Sequence, residues 1–378
     1  MLDPGRAQRY RRHDLIDWFS QERVTASRIA VIGAGAVGNE VVKNLALLGC
    51  GTIDVFDFDV VEIHNLTRSV LLRESDSGRN KAEAVADRAR DLDPHVEVRA
   101  IPGDFWDTLS LGRLQEYDCA VSAVDNFEAR LKLNQLCLIA RVDLVNTGLD
   151  SRWAVVESFP FSRAVDPACY ECTLPESAYA RVAERYSCGG LLRRARIERR
   201  IPTTAITASI AGALAASAAL RLGGDEASHA QRRLVDTVGG AASAVAVERR
   251  DNCPGCAQFA QPPRVIRTRN RWMAPADPAA DVVAEQPLLL SDALVTGYEC
   301  TSCGPLEQAG AYINRRAGAF DDSIAVCPNC ASPSVRVEIR DTFTVGELSA
   351  RFGGERVPAK FVLADINGGT VCFDLEEY

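Results

Sequence analysis

The sequence has no surplus of basic charge. It carries 43 Lys and Arg against 51 Asp and Glu, for a net charge of −8 over 378 residues. Nucleic acid, which selects for clustered positive charge, is therefore not an expected partner. It also lacks a stretch that reads as a signal peptide or a membrane span. Thr203 to Leu222 comes nearest, but it is rich in Ala, Thr and Ser and reads as a close-packed core helix. A cytoplasmic protein with no membrane partner is the expectation. A secreted disulfide framework is missing too. Eight of the 13 cysteines form four C-x-x-C pairs, which is metal-ligand spacing in a reducing compartment. The length suggests one large α/β domain plus an appendage.

What is present centres on Arg28 to Ala82. A short apolar run, Ile29 to Ile32, reads as a buried strand. Gly33, Gly35 and Gly38 follow at G-x-G-x-x-G spacing, then a helix over Asn39 to Leu48 and a second strand over Thr52 to Phe56. Strand, glycine turn, helix, strand and acid are the context of a dinucleotide fingerprint. The glycines let backbone approach a phosphate, and the helix N-terminus offers it free N–H groups. Asp57, about 20 residues on, suits ribose hydroxyls.

The fingerprint alone says nucleotide. The block after it, D-F-D-V-V-E-I-H-N-L-T-R with Lys81 in G-R-N-K-A, argues against a nicotinamide. An enzyme that splits ATP between its α- and β-phosphates needs such residues. Arg68 and Lys81 neutralise a triphosphate and stabilise departing pyrophosphate, and Asn65 orients a phosphate oxygen. The plain alternative is a nucleotide unit with ordinary surface charges, but four polar residues fall in one block.

Downstream, Lys81 to Leu92 reads as a helix and Val96 to Ile101 as a strand. Tyr117 to Val124 is the next buried strand and delivers Asp125 and Asn126 at its C-terminal end, where doubly wound sheets bind ligands. An Asp there is often only a helix N-cap. Cys169 and Cys172 form one C-x-x-C pair, and Cys253 and Cys256 another, far along the chain. Two such pairs suit a tetrahedral Cys₄ zinc site, although spacing alone does not pair them. Cys188 stands in a polar, irregular segment, followed by Gly-Gly and then by Arg193, Arg194, Arg196, Arg199 and Arg200. Cationic neighbours raise the thiolate fraction of a thiol. Cys50, Cys119, Cys137 and Cys372 lie in apolar runs and read as core. Residues 261–286 are Pro- and Ala-rich without periodicity, which reads as a linker. Cys300 and Cys303 are separated from Cys327 and Cys330 by 23 residues, a zinc-ribbon signature. A short helix over Phe343 to Phe352 and a hairpin around Asn367, Gly368 and Gly369 complete this module.

The run D-x-D-x-V-x-x-x-N-L-x-R with its downstream Lys resembles the ubiquitin-activating, MoeB and ThiF adenylyltransferase family, over Gln8 to Cys256. The chain looks most like the compact activating enzymes of bacterial ubiquitin-like conjugation operons. The resemblance implies an α/β fold: a doubly wound, Rossmann-like, mostly parallel sheet with a structural Cys₄ zinc site. The C-terminal zinc-ribbon and β module is an addition to it. It implies ATP-dependent adenylation of the C-terminal glycine of a ubiquitin-like protein. The nucleotide set becomes Gly33, Gly35, Gly38, Asp57, Asp59, Asn65, Arg68, Lys81 and Asp125. The S-A-V-D-N run matches the family's metal-binding Asp, so Asp125 would hold Mg²⁺, with Arg130 facing the same pocket. Arg12, in R-Y-x-R, matches an Arg that reaches the ATP of the partner subunit in a homodimer. Cys169, Cys172, Cys253 and Cys256 would close on one zinc, and Cys300, Cys303, Cys327 and Cys330 on a second. Residues 173–201 occupy the place of the crossover loop, which makes Cys188 the candidate acceptor of a thioester before hand-off to a conjugating enzyme.

The expected organisation is residues 1–260 for adenylation, 261–286 as linker and 287–378 as C-terminal module. Two departures from the family pattern are Ala36 in the fingerprint and Ser69 after Arg68. No rhodanese-like domain is evident, which argues against an enzyme that completes its own sulfur transfer. Three other readings compete: adenylation only of a sulfur carrier, an NAD-binding oxidoreductase, and a zinc-stabilised scaffold that binds nucleotide without turnover.

Overall fold

Strand β1 (Arg28–Ile32) is apolar throughout after its first residue, and Ile29 to Ile32 are essentially inaccessible. That is the composition of a central parallel strand covered on both faces. In the computed structural model it sits inside an eight-stranded sheet. The other strands are β2 (Thr52–Asp57), β3 (Glu97–Pro102), β4 (Cys119–Ser122), β5 (Asp143–Leu149), β6 (Trp153–Phe159), β7 (Gln231–Asp236) and β8 (Ala242–Ala246). The spatial order is β3-β2-β1-β4-β5-β6-β7-β8. The first five run parallel, and β6, β7 and β8 continue antiparallel. The structure describes residues 8–175, 177, 203–222, 229–259, 261–268, 282–306, 310–319, 326–332, 335–353 and 355–375.

The chain leaves β1 towards β2 and β3, then returns to β4 on the other side. The β1–β4 junction is therefore the switch point of the sheet, where open α/β folds bind ligands. Helix α1 (Ala36–Leu47) follows β1 and buries Val37, Val41, Val42 and Leu45 against the sheet. It starts three residues earlier than the sequence suggests, because Gly35 serves as its N-cap and the third glycine lies inside its first turn. Helix α2 (Lys81–Leu92) is capped by Asn80, whose side chain accepts from Ala82 N and Glu83 N. Helix α3 (Phe127–Ala140) is capped by Asn126, which accepts from Ala129 N.

Helix α4 (Ala205–Leu222) is the expected Ala-rich core helix. Among the described residues it is the one helix long and apolar enough to cross a membrane, yet its Ala-rich side is buried. Small residues let it approach α1 closely: a Cβ on Gly212 would stand 2.3 Å from Glu40 Cβ. Ser209 Oγ donates to Glu40 Oε1 at 2.7 Å across the same contact. Cys50, Cys119, Cys137 and Cys372 are all buried, as their apolar settings predict. Burial pushes the Cys50 thiol up to about 12, so it is inert at neutral pH.

The described residues form two compact units, one up to Thr173 with 203–259, the other 174–175 and 177 with those from Gln261 onward. In the second, β9 (Arg264–Arg267), β10 (Pro287–Cys300), β11 (Gly304–Pro305), β12 (Val335–Thr344), β13 (Phe361–Ile366) and β14 (Gly369–Asp374) form one sheet. The hairpin between β13 and β14 turns on Asn367 and Gly368, both at positive φ (55° and 78°), as Asn-Gly predicts. The short helix α5 (Val345–Phe352) carries a capping box between Thr344 and Glu347. One expectation needs correction. Residues 261–286 are not linker throughout, because β9 pairs in parallel with β14, Val265 opposite Cys372.

Candidate functional site

The glycine turn is built by steric necessity. Gly33 leaves β1 at φ 100°, and a Cβ there would stand 2.7 Å from Ala123 O. Its N–H donates to Phe56 O at 2.8 Å, while Ala123 N donates to Ile32 O at 2.8 Å. The ends of β1, β2 and β4 are thereby locked together. A Cβ on Gly38 would meet Gly33 O at 1.9 Å, whereas one on Gly35 meets nothing within 4 Å. Two glycines are thus required by the fold, and the middle one faces open space, as an approach to a phosphate needs.

These distances set an expected result. Gly38→Ala should gain about 1 kcal/mol of helix propensity. The backbone clash cannot be relieved by a rotamer change, and overpacking of this kind costs about 1–3 kcal/mol or more. The net effect expected in a thermal melt is a loss of several degrees. Gly35→Ala should melt like the wild type but bind nucleotide more weakly. Equal melting of the two variants would contradict this division.

Asp57, at the end of β2, is fastened rather than free. Its Oδ2 accepts from Ala34 N at 2.7 Å and its Oδ1 from Asp59 N at 2.8 Å. Burial pushes its carboxyl above the usual carboxylate range, and those two N–H groups and Lys81 pull it back. Lys81 Nζ stands 2.8 Å from Asp59 Oδ2, with only 12% of the lysine side chain exposed against 51% of the aspartate. Asn80 completes this corner by donating to Asp57 O at 3.0 Å.

Asn65 and Arg68 lie on the turn that follows. Asn65 Oδ1 accepts from Glu62 N at 2.9 Å, so its amide oxygen caps a 3₁₀ turn and its Nδ2 is the donor left for a ligand oxygen. Arg68 is half-buried, and its Nη1 donates to His64 O at 3.0 Å. Asp125, just past β4, is exposed and makes no hydrogen bond or ion pair among the described residues. The N-cap that its position suggested is taken by Asn126 instead. Arg130 is not a free cation, although its charge still acts on Asp125. Its guanidinium donates to Val124 O, Asn146 Oδ1 and Thr147 O, and so fixes the segment that carries Asp125.

At the N-terminus, Tyr10 is buried and its hydroxyl bonds Asp93, while Arg9 donates to Leu92 O at 3.0 Å. Arg12, two residues on, is exposed. Cys188 and the five arginines after it lie outside the described residues.

The cysteines gather into two sets. Cys169, Cys172, Cys253 and Cys256 bring their sulfurs within 4.8 Å of one another, and so do Cys300, Cys303, Cys327 and Cys330. Zn–S bonds of about 2.3 Å in a tetrahedron require sulfurs about 3.8 Å apart. The observed pairs are 3.7 Å for Cys169–Cys253, 3.5 Å for Cys172–Cys256 and 3.8 Å for Cys300–Cys330. Backbone N–H groups of Cys169 and Arg250 point at Cys172 Sγ, and that of Ser302 at Cys300 Sγ, the outer bonds that thiolate ligands use. Both sets have the donors and spacing of a closed structural zinc site. The first also anchors the fold: Tyr170 N, between its cysteines, donates to Asn134 Oδ1 on α3 at 3.0 Å.

One residue near the glycine turn escaped the sequence reading. Asn39 is fully buried and bonds the glycine turn on one side and Leu71 on the other. Its only sequence signal is a polar residue directly after the third glycine, on the helix face that should be apolar.

Residues 8–255 match the ThiF family along their whole length. The chain belongs to the ThiF family. Among curated relatives, the SAMP-activating enzyme E1 of Haloferax volcanii is 34% identical over 179 residues, 47% of this chain and 65% of the relative. The sulfur carrier protein adenylyltransferase of Thermus thermophilus is 33% identical, covering 41% of this chain and 58% of that protein. The adenylyltransferase and sulfurtransferase MOCS3-1 of Zea mays is 29% identical, covering 49% and 39%. The chain thus spans less than two thirds of each of these relatives. Among solved structures, E. coli MccB superposes with a TM-score of 0.54 at 24% identity, covering 66% of this chain and 72% of that one. That likeness shows the ThiF-type fold.

Proposed function

We propose that this ThiF-family chain adenylates the C-terminal glycine of a ubiquitin-like protein and then accepts it on Cys188. The observation that carries the first step is the set of residues at the C-terminal ends of β1, β2 and β4, around the switch point. Gly35 is open, Asp57 is fastened, Lys81 is largely buried beside Asp59, and Asp125 is exposed with no hydrogen bond or ion pair among the described residues. Asp57 would take the ribose hydroxyls and the α1 N-terminus a phosphate. Asp125 is a suitable carboxylate for Mg²⁺, which supplies charge neutralisation on the triphosphate. Lys81, released from Asp59, and Arg68 would stabilise the leaving group. The partner's carboxylate oxygen attacks the α-phosphorus, the bond to the β-phosphate oxygen breaks, and pyrophosphate departs with its electron pair. An acyl adenylate remains. A thiolate on Cys188 then attacks the acyl carbon and AMP leaves.

The assembly proposed is a homodimer. Strand β8, at the sheet edge, leaves all five of its residues exposed, and exposed Arg12 sits on an N-terminal segment pinned by Tyr10. A conjugating enzyme would take the thioester, and zinc in both Cys₄ sets would be structural. A second reading, activation of a sulfur carrier without a thioester, is favoured by the name of the Thermus thermophilus relative.

The test is intact mass and a non-reducing gel, with ATP, Mg²⁺ and a glycine-ending partner. The partner should gain one AMP, and the chain should gain the partner in a bond cleaved by reductant. Cys188→Ala should keep the AMP adduct and lose the thioester. A thioester that persists in the variant would place the nucleophile elsewhere. AMP transfer with no thioester in the wild type would favour the second reading.

A further inference from the structure

Asn39 sits where two parts of the proposed nucleotide site meet. It occupies the first turn of α1, directly after Gly38, and none of it is accessible. Its Nδ2 donates to Ala34 O at 2.7 Å and to Gly35 O at 3.0 Å, both inside the glycine turn. Its Oδ1 accepts from Leu71 N at 2.9 Å, three residues after Arg68. Both functional ends of the amide are therefore used, in opposite directions. An amide is the side chain of this length that donates at one end and accepts at the other.

The consequences run outward from there. The residue whose carbonyl Asn39 holds, Ala34, uses its own N–H to fasten Asp57. The segment held on the other side is tightly packed, with Ser69, Leu71 and Leu72 all buried, and Leu72 N bonds Ser69 O. Arg68 N in turn bonds Asn65 O. A single buried side chain thus links the ribose acid and the glycine turn to the turn that carries Asn65 and Arg68.

We infer that Asn39 is a positioning residue that fixes the spacing between the glycine turn and the Asn65–Arg68 turn. This rests on the adenylation reading above. It touches no substrate itself. It acts by holding Arg68 at the distance from the glycine turn that a triphosphate spans. Hydrogen bonds left unmade at a buried site are expected to loosen both segments: Leu71 N and Ala34 O lose the amide that holds them, while Gly35 O keeps its bond from the residue 39 backbone N–H.

The experiment is a double-mutant cycle on ATP–pyrophosphate exchange, using Asn39→Ala, Arg68→Ala and the double variant in the full chain, each with a thermal melt. Asn39→Ala is expected to lower exchange on the order of 10-fold or more, mostly in kcat. In the Arg68→Ala background the same change should cost less than about 3-fold. Asn39→Ser, which keeps a donor for Gly35 O, should recover part of the loss and serves if Asn39→Ala does not fold. Multiplicative losses in the cycle would overturn the inference, since Asn39 would then act independently of Arg68. So would wild-type exchange in a folded Asn39→Ala. Failure of the underlying reading looks different: no exchange in the wild type with any glycine-ending partner.

Discussion

Asp125→Ala is expected to lower Mg²⁺-dependent ATP–pyrophosphate exchange on the order of 100-fold or more while leaving the thermal melt unchanged. The two halves of that result have separate causes. Asp125 is exposed and unpaired among the described residues, so its removal deletes no contact of the fold. The segment that carries it is held by other groups: Arg130 on Val124 O and the Asn126 cap on α3. What is lost is a fixed carboxylate for the metal on the triphosphate. Removing one preorganised charge partner from a site of this kind typically costs 10²–10³ in rate. Raising Mg²⁺ should recover part of the loss, because occupancy and positioning both suffer. Normal exchange in the variant would show that the metal is held elsewhere. A melt lowered by many degrees would show that Asp125 serves the fold.

The reverse pattern is expected of Cys253→Ala. Cys253 is fully buried, 3.7 Å from Cys169 Sγ, and far in sequence from the pair it joins. Closing one zinc over both pairs ties residues 169–172 to 253–256 and, through Tyr170 N on Asn134, to α3. Structural zinc contributes about 10–16 kcal/mol of apparent binding free energy at neutral pH. Losing even a quarter of it would lower Tm by roughly 10 °C in a domain of this size. The expected result is one zinc per chain by elemental analysis instead of two, a melt lower by that amount, and exchange activity lost with the fold. Two zincs retained in the variant would mean that this set is not a metal site.

The fold was legible in the sequence wherever one local rule decided it. Gly33 and Gly38 mark a turn whose geometry no other residues permit. The buried run of β1 has no polar residue after Arg28, and Asn367-Gly368 sets its hairpin. Strand β9 was not legible, because Arg-Val-Ile-Arg is too short to carry a period. Its reason for existing is a partner, β14, more than a hundred residues away. The early start of α1 was missed because the glycines that build the turn also belong to the helix. In the site, residue types were legible and their partners were not. Asn65 reads as a phosphate ligand, but its oxygen caps a turn. Arg130 reads as a charge beside Asp125, and it also holds the backbone that carries that residue. Asn39 reads as nothing in particular until Leu71 is seen above it.

The central claim is that this chain activates a glycine carboxylate at the β1–β4 switch point. Isotope exchange between pyrophosphate and ATP measures that step alone, before any thioester. With a ubiquitin-like partner ending in glycine, exchange should be rapid, dependent on Mg²⁺, and abolished when the last glycine is removed. Exchange that ignores the partner's C-terminus, or reduction of NAD by the same protein, would contradict the account.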